Sequence, residues 1–211
     1  MESNPKGIAV VPAQPEIDAR HTDHEPTVNA TRKPRPLGGE LHNHRGTTMT
    51  YLTRVFIHGL DSSSRGTKGT FFRGRYPKML MEDFSGPLEA RMAHLTESLV
   101  GKDNLILVGS SYGGLMAALF ACDNQTRVRR LILLAPALGH ADFSPWYATP
   151  LQMPVILYHG HRDTVVPPEP IRQVAERLFR NLESRLVDDD HDLHQIFPIL
   201  EWDRLLEIES N

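Results

Sequence analysis

The chain of 211 residues has a single cysteine, Cys122, so an intrachain disulfide is excluded. Its place in the apolar stretch LMAALFAC points to a packed thiol and a reducing compartment, the cytoplasm. No apolar run is long enough for a membrane helix, and the N-terminus lacks the apolar core of a secretory signal. Membrane insertion and export are therefore not expected. An excess of one charge is also missing: 23 Lys and Arg against 26 Asp and Glu leave a formal net charge of −3. That balance offers no polycationic face to nucleic acid. Neither a G-x-x-x-x-G-K-[ST] phosphate loop nor a G-x-G-x-x-G dinucleotide fingerprint is present. No metal or organic cofactor is expected.

Residues 1–48 have no aromatic residue, six prolines, and six basic residues cancelled by six acidic ones. Such a segment cannot bury enough apolar surface to fold and reads as a disordered tail. His21, His24, His42 and His44 have neither the spacing nor the scaffold of a metal site and read as solvated. Met49 opens MTYLTRVFIHG, which looks like the start of one compact domain over residues 49–211.

What is there is an alternation of strands and helices. Strands are expected at residues 54–58 (RVFIH), 105–108 (LILV), 130–135 (RLILLA), 155–159 (VILYH) and 185–188 (RLVD), with a further one within 78–83. Helices are expected at 87–100, where Leu88, Met92, Leu95 and Leu99 form one stripe, at 115–122, at 168–179 and within 193–208. Residues 61–70 read as a loop, too polar and small for an element. Six strands alternating with helices imply a mostly parallel, doubly wound α/β sheet with helices on both faces.

Between the second apolar strand and its helix lies Gly109-Ser110-Ser111-Tyr112-Gly113, a G-x-S-x-G at a strand-to-helix junction. A nucleophile elbow needs small residues two before and two after the serine, because the turn is tight and strained. In parallel sheets chemistry gathers at the carboxyl ends of strands. There the chain places His58-Gly59-Leu60, Ser111, Asp163 and His191, and the last three follow in the order nucleophile, acid, base. A serine hydroxyl needs an imidazole to take its proton, and the imidazole needs a carboxylate to fix its tautomer. Asp163 could instead simply start the turn before Val165-Val166-Pro167-Pro168. Asp188, Asp189 and Asp190 read as a solvated run, and His58 as a residue that shapes its loop.

GSSYGG, GHRDTVVP and DDDHDL resemble the elbow, acid and histidine motifs of the α/β-hydrolase superfamily, from residue 54 to the end of the chain. Within it the chain is most similar to small bacterial hydrolases without a cap domain, a group associated with carboxylesterase or thioesterase activity. The resemblance implies a central elbow strand and an oxyanion hole from the backbone N–H groups of Leu60 and Tyr112. The two N-terminal antiparallel strands of larger members have no counterpart here.

The expected activity is cleavage of a small-molecule carboxylic ester or thioester through an acyl-enzyme on Ser111. Amide or peptide cleavage on the same triad, and a non-catalytic interaction protein that keeps the fold, are the alternatives. Residues 137–154 are too few for a separate lid, and Phe143, Trp146 and Tyr147 within them suit an aromatic wall over a shallow acyl site. Arg65, Lys68, Arg73 and Arg75 could meet an anionic substrate such as an acyl-CoA, or could simply be solvated.

Deleting residues 1–48 should leave the melting temperature of the purified protein nearly unchanged, because no apolar pattern there can join a core. A clear fall in melting temperature would refute a disordered tail.

Overall fold

A computed structural model describes residues 51–140 and 149–208. The expected tail at 1–48 lies outside them. The strands are β1 (Thr53–Ile57), β2 (Leu80–Met81), β3 (Leu105–Ser110), β4 (Val128–Leu134), β5 (Leu151–Gly160) and β6 (Phe179–Val187). They form one sheet in the order β2-β1-β3-β4-β5-β6, and every pair is parallel. The helices are α1 (Thr67–Arg75), α2 (Leu88–Ser98), α3 (Tyr112–Asp123), α4 (Pro168–Leu178) and α5 (Trp202–Leu205).

Strand side chains alternate between the two faces, and each face has its own core. Ile57, Leu107, Leu133 and Leu157 point to one face, against Leu95 of α2, Phe120 of α3 and Ile171 of α4. Phe56, Val108, Ile132 and Tyr158 point to the other, against Phe72 of α1 and Trp202 of α5. β3 is central and buried along its whole length, which is why it opens on the uninterrupted apolar run LILV.

Three expectations need correction. The loop expected at 61–70 ends early, because α1 begins at Thr67. Its small residues reflect packing: a Cβ on Gly69 would stand 2.1 Å from Ser64 O, and Phe72 two-thirds of the way along is fully buried. β6 begins at Phe179, well before residue 185. It is an edge strand whose side chains are mostly exposed, so FRNLESRLV lacks an apolar alternation.

The third concerns the C-terminal helix. A long helix within 193–208 does not form, and a 3₁₀ turn at Phe197–Ile199 and the four-residue α5 take its place. Leu193 has φ 55°, a left-handed conformation that no helix continues through. The Gln195 and Ile196 N–H groups donate to Asp189 Oδ2, both at 2.9 Å, a carboxylate outside the expected helix. Arg54 and Arg130 then donate to the carbonyls of Leu206 and Leu205, which a longer helix would have used itself.

The C-terminal segment is held by aromatic packing. Trp202 lies 4.7 Å from Phe72 and 5.2 Å from Phe197 between ring centroids, and its Nε1–H donates to Phe197 O at 2.8 Å. Trp202→Ala should therefore destabilise the domain by about 3–5 kcal/mol. Urea unfolding would measure it, and a loss under about 1 kcal/mol would mean that this cluster does not anchor the segment.

Candidate active site

The serine elbow is a steric construction. Ser111 has φ 53° and ψ −117°, a conformation that costs a non-glycine residue on the order of 1–3 kcal/mol. It is over-determined by its neighbours: Ser111 N–H donates to Leu134 O at 2.8 Å, and Ser111 O accepts from Ala137 N at 3.0 Å. A Cβ on Gly109 would sit 2.5 Å from Gly113 O, and one on Gly113 would sit 2.1 Å from Ile57 O. Only glycines let the first turn of α3 lie this close to the ends of β1 and β3.

Register brings the other loops to the same edge. Gly160 pairs with Val187, so the turns after β5 and β6 leave the sheet side by side. His161 N–H donates to Val187 O at 2.9 Å and Arg162 N–H to Asp189 O at 3.1 Å, stitching the two turns together. Asp163 and His191 meet there. His191 Nδ1 lies 2.7 Å from Asp163 Oδ2, and its Nε2 lies 3.0 Å from Ser111 Oγ. With the carboxylate accepting, Nδ1 carries the proton and Nε2 is left to accept from the hydroxyl.

Asp163 has no exposed side-chain surface, so it must find its partners inside the protein. Its Oδ1 accepts from the N–H groups of Val165 and Val166, at 2.9 and 2.8 Å. Its Oδ2 accepts from His191 and also from His159 Nε2, at 3.0 Å. Four donors on two oxygens fill the acceptor capacity of a carboxylate. The turn-forming and histidine-holding readings of Asp163 are thus both present, one on each oxygen.

A family model for the alpha/beta hydrolase fold matches residues 59–152. The mouse alpha/beta hydrolase domain-containing protein 10 superposes with a TM-score of 0.61 at 21% identity, over 75% of this chain and 90% of its own. Est1E from Butyrivibrio proteoclasticus, solved with ferulic acid bound, gives a TM-score of 0.58 at 14% identity, over 75% of this chain and 88% of its own. A Pyrococcus furiosus esterase gives 0.58 at 17% identity, over 74% and 81%. No curated protein matches by sequence. The chain is an α/β-hydrolase-fold protein. The family match covers the elbow but stops before Asp163 and His191, which the turns after β5 and β6 bring together.

In this α/β-hydrolase fold a cavity of ≈ 500 Å³ opens over Ser111 and His191. Leu60, Tyr112, Val165, Val166 and Ala137 line it, which gives it an apolar wall beside the hydroxyl. Tyr112 is the first residue of α3, so its N–H belongs to the positive end of the helix. Leu60 is held through its carbonyl, where Arg91 Nη2 donates to Leu60 O at 3.3 Å. His58 is buried, and its Nε2 accepts from Phe84 N–H at 2.9 Å while Nδ1–H donates to Gly59 O at 2.7 Å. It shapes the loop that carries Leu60. Phe143, Trp146 and Tyr147 lie outside the described residues.

The four loop cations separate. Arg73 donates to Ser64 O at 3.2 Å and Arg75 to Asp203 at 2.8 Å, at the far end of α1, while Lys68 alone of the four lines the cavity. Of the three consecutive aspartates only Asp188 and Asp190 face solvent, and Asp189 is 1% exposed. This corrects the solvated reading for Asp189, whose carboxylate holds the backbone of 195–196 and so the loop bearing His191. His159 was also missed. Its signal is local, since in YHGHRD it lies near the end of a buried strand, four residues before Asp163. Its Nε2–H is shared with Val166 O at 2.8 Å, and its Nδ1 is buried without a hydrogen bond.

Among the described residues no group of three His, Cys, Asp or Glu could hold a metal ion, and no helix is long and apolar enough to cross a membrane. His194 pairs with Asp190 at 2.9 Å, an exposed contact that raises its pKa through the Asp190 hydrogen bond. His191→Ala should therefore lower ester turnover by about 10³ or more, while His194→Ala stays within about tenfold. The reverse ranking in a purified-protein assay would move the base to His194.

Proposed function

We propose that this protein is a serine hydrolase that cleaves a carboxylic ester or thioester through an acyl-enzyme on Ser111. The observation that carries the reading is the relay from Ser111 Oγ through His191 to Asp163, with hydrogen-bond spacings of 3.0 and 2.7 Å on a strained elbow. A strained, over-determined serine beside a correctly tautomerised imidazole is costly to hold for structure alone.

The steps follow from those positions. Ser111 Oγ attacks the substrate carbonyl carbon as its proton passes to His191 Nε2, and Asp163 stabilises the imidazolium through Nδ1–H. The carbonyl oxygen becomes an oxyanion facing the N–H groups of Leu60 and Tyr112, and each such donor is worth about 10²–10³ in rate. The tetrahedral centre then collapses: the bond to the alcohol or thiol breaks, and the leaving group takes the proton from His191. Water repeats the sequence on the acyl-enzyme, giving its proton to His191, and Ser111 regains a proton as the acid leaves.

Two further facts support the choice of an ester-like substrate. The wall of Leu60, Val165, Val166 and Ala137 suits an acyl group. Est1E, of the same fold, binds ferulic acid, a carboxylic acid such as ester cleavage releases.

A fluorophosphonate probe tests the reading directly. Ser111→Ala should abolish covalent labelling and lower turnover by a factor on the order of 10⁴ or more. Ser110→Ala should keep labelling, because Ser110 is the last residue of β3 and not the elbow apex. Labelling that survives in Ser111→Ala would sink the assignment.

A further inference from the structure

We infer that Lys68 is a specificity-determining residue of the Ser111 cavity, and that the substrate is an ester or thioester bearing a carboxylate or phosphate apart from its reacting carbonyl. The inference rests on the reading of Ser111 as nucleophile and adds the class of substrate.

Lys68 lies in the first turn of α1 and lines the cavity that Ser111 and His191 also line. Among the described lining residues it is the one lysine or arginine. It is 14% exposed, with Nζ 5.7 Å from the centre of the Phe197 ring. Its ion-pair partner is Asp192, 63% exposed and 3.6 Å away. That exceeds the 2.7–3.2 Å of a good N–H···O bond, and an ammonium has three donors to place. An anion entering the cavity meets donors that the protein itself satisfies poorly.

The acidic groups nearby do not cancel this cation. Asp189 is buried and engaged with the Gln195 and Ile196 N–H groups, and Asp190 is held by His194. Asp61 and Asp192 line the cavity but are exposed, so water and salt screen them, whereas the Lys68 charge acts through a drier medium. Burial pushes the Lys68 ammonium below its ordinary pKa range, the mark of a charge short of compensation. A second anion would supply it.

Pairs of esters that differ only in charge test the inference. An aryl hemiglutarate against the aryl methyl glutarate puts a carboxylate on the acyl side. Butyryl glycerol phosphate against monobutyrin puts a phosphate on the leaving group. In the unaltered protein kcat/KM should favour the anionic member of at least one pair by about tenfold or more. That ratio should fall by about tenfold in Lys68→Met and invert in Lys68→Glu. Any general loss from a disturbed His191 loop acts on both members and cancels in the ratio. Should the variants fail to fold, salt decides, since the preference of the unaltered protein must shrink as ionic strength rises. A flat ratio in every pair, or equal losses on both members in Lys68→Met, overturns the inference alone and leaves Lys68 as a tether of the His191 loop. Absence of fluorophosphonate labelling at Ser111 overturns the nucleophile reading and this inference together.

Discussion

The first turn of α3 passes so close to the ends of β1 and β3 that no Cβ fits at Gly109 or Gly113, and this approach arranges the carboxyl edge of the sheet. It leaves Ser111 at φ 53°, with its Oγ above the strands and not buried among them. It also sets the loop after β1 against the serine, since Ile57 pairs with Gly109 and a Cβ on Gly59 would be 3.4 Å from Ser111 Cβ. A larger residue at Gly109 would have to move the first turn of α3, and one at Gly113 the end of β1. The strain at Ser111 is held by the hydrogen-bonded ends of β3 and β4, so the elbow cannot relax without opening the centre of the sheet.

A second constraint is the supply of donors to two buried carboxylates. Asp163 draws one backbone turn, His159 and His191 onto its oxygens, and Asp189 draws the backbone of 195–196. Burying either group without these partners would cost several kcal/mol. The same bonds that satisfy the charges therefore position the proposed base. The two turns after β5 and β6 behave as one unit, in which a change at His159 or Asp189 should be felt at His191 without touching substrate.

The sheet, its strand alternation and the elbow were legible because their signals are local. An apolar run followed by G-x-S-x-G and an alanine-rich segment encodes strand, turn and helix in eighteen consecutive residues. The positions of Asp163 and His191 were legible through topology alone, as residues just beyond the carboxyl ends of successive strands. What escaped was decided by distant partners. The helix expected within 193–208 lost to Asp189, which takes the Gln195 and Ile196 N–H groups, and to the left-handed Leu193. The part of β6 before residue 185 hid because an edge strand need not alternate, and His159 because nothing in its type separates a core histidine from one that holds a carboxylate.

The misread α1 links stability to chemistry. Its glycine-rich, polar beginning resembles a loop, yet Phe72 fastens it to Phe56, Phe197 and Trp202, and Tyr76 donates to Asp203 at 2.6 Å. The helix is therefore stable through tertiary packing and not through propensity. Because its anchor is the same aromatic cluster that holds the C-terminal segment, the helix bearing Lys68 and the loop bearing His191 share one support. Loosening that cluster would displace the cavity's cation and the proposed base together, whereas exchanging the lysine head group alone alters the field in the cavity and leaves the support in place.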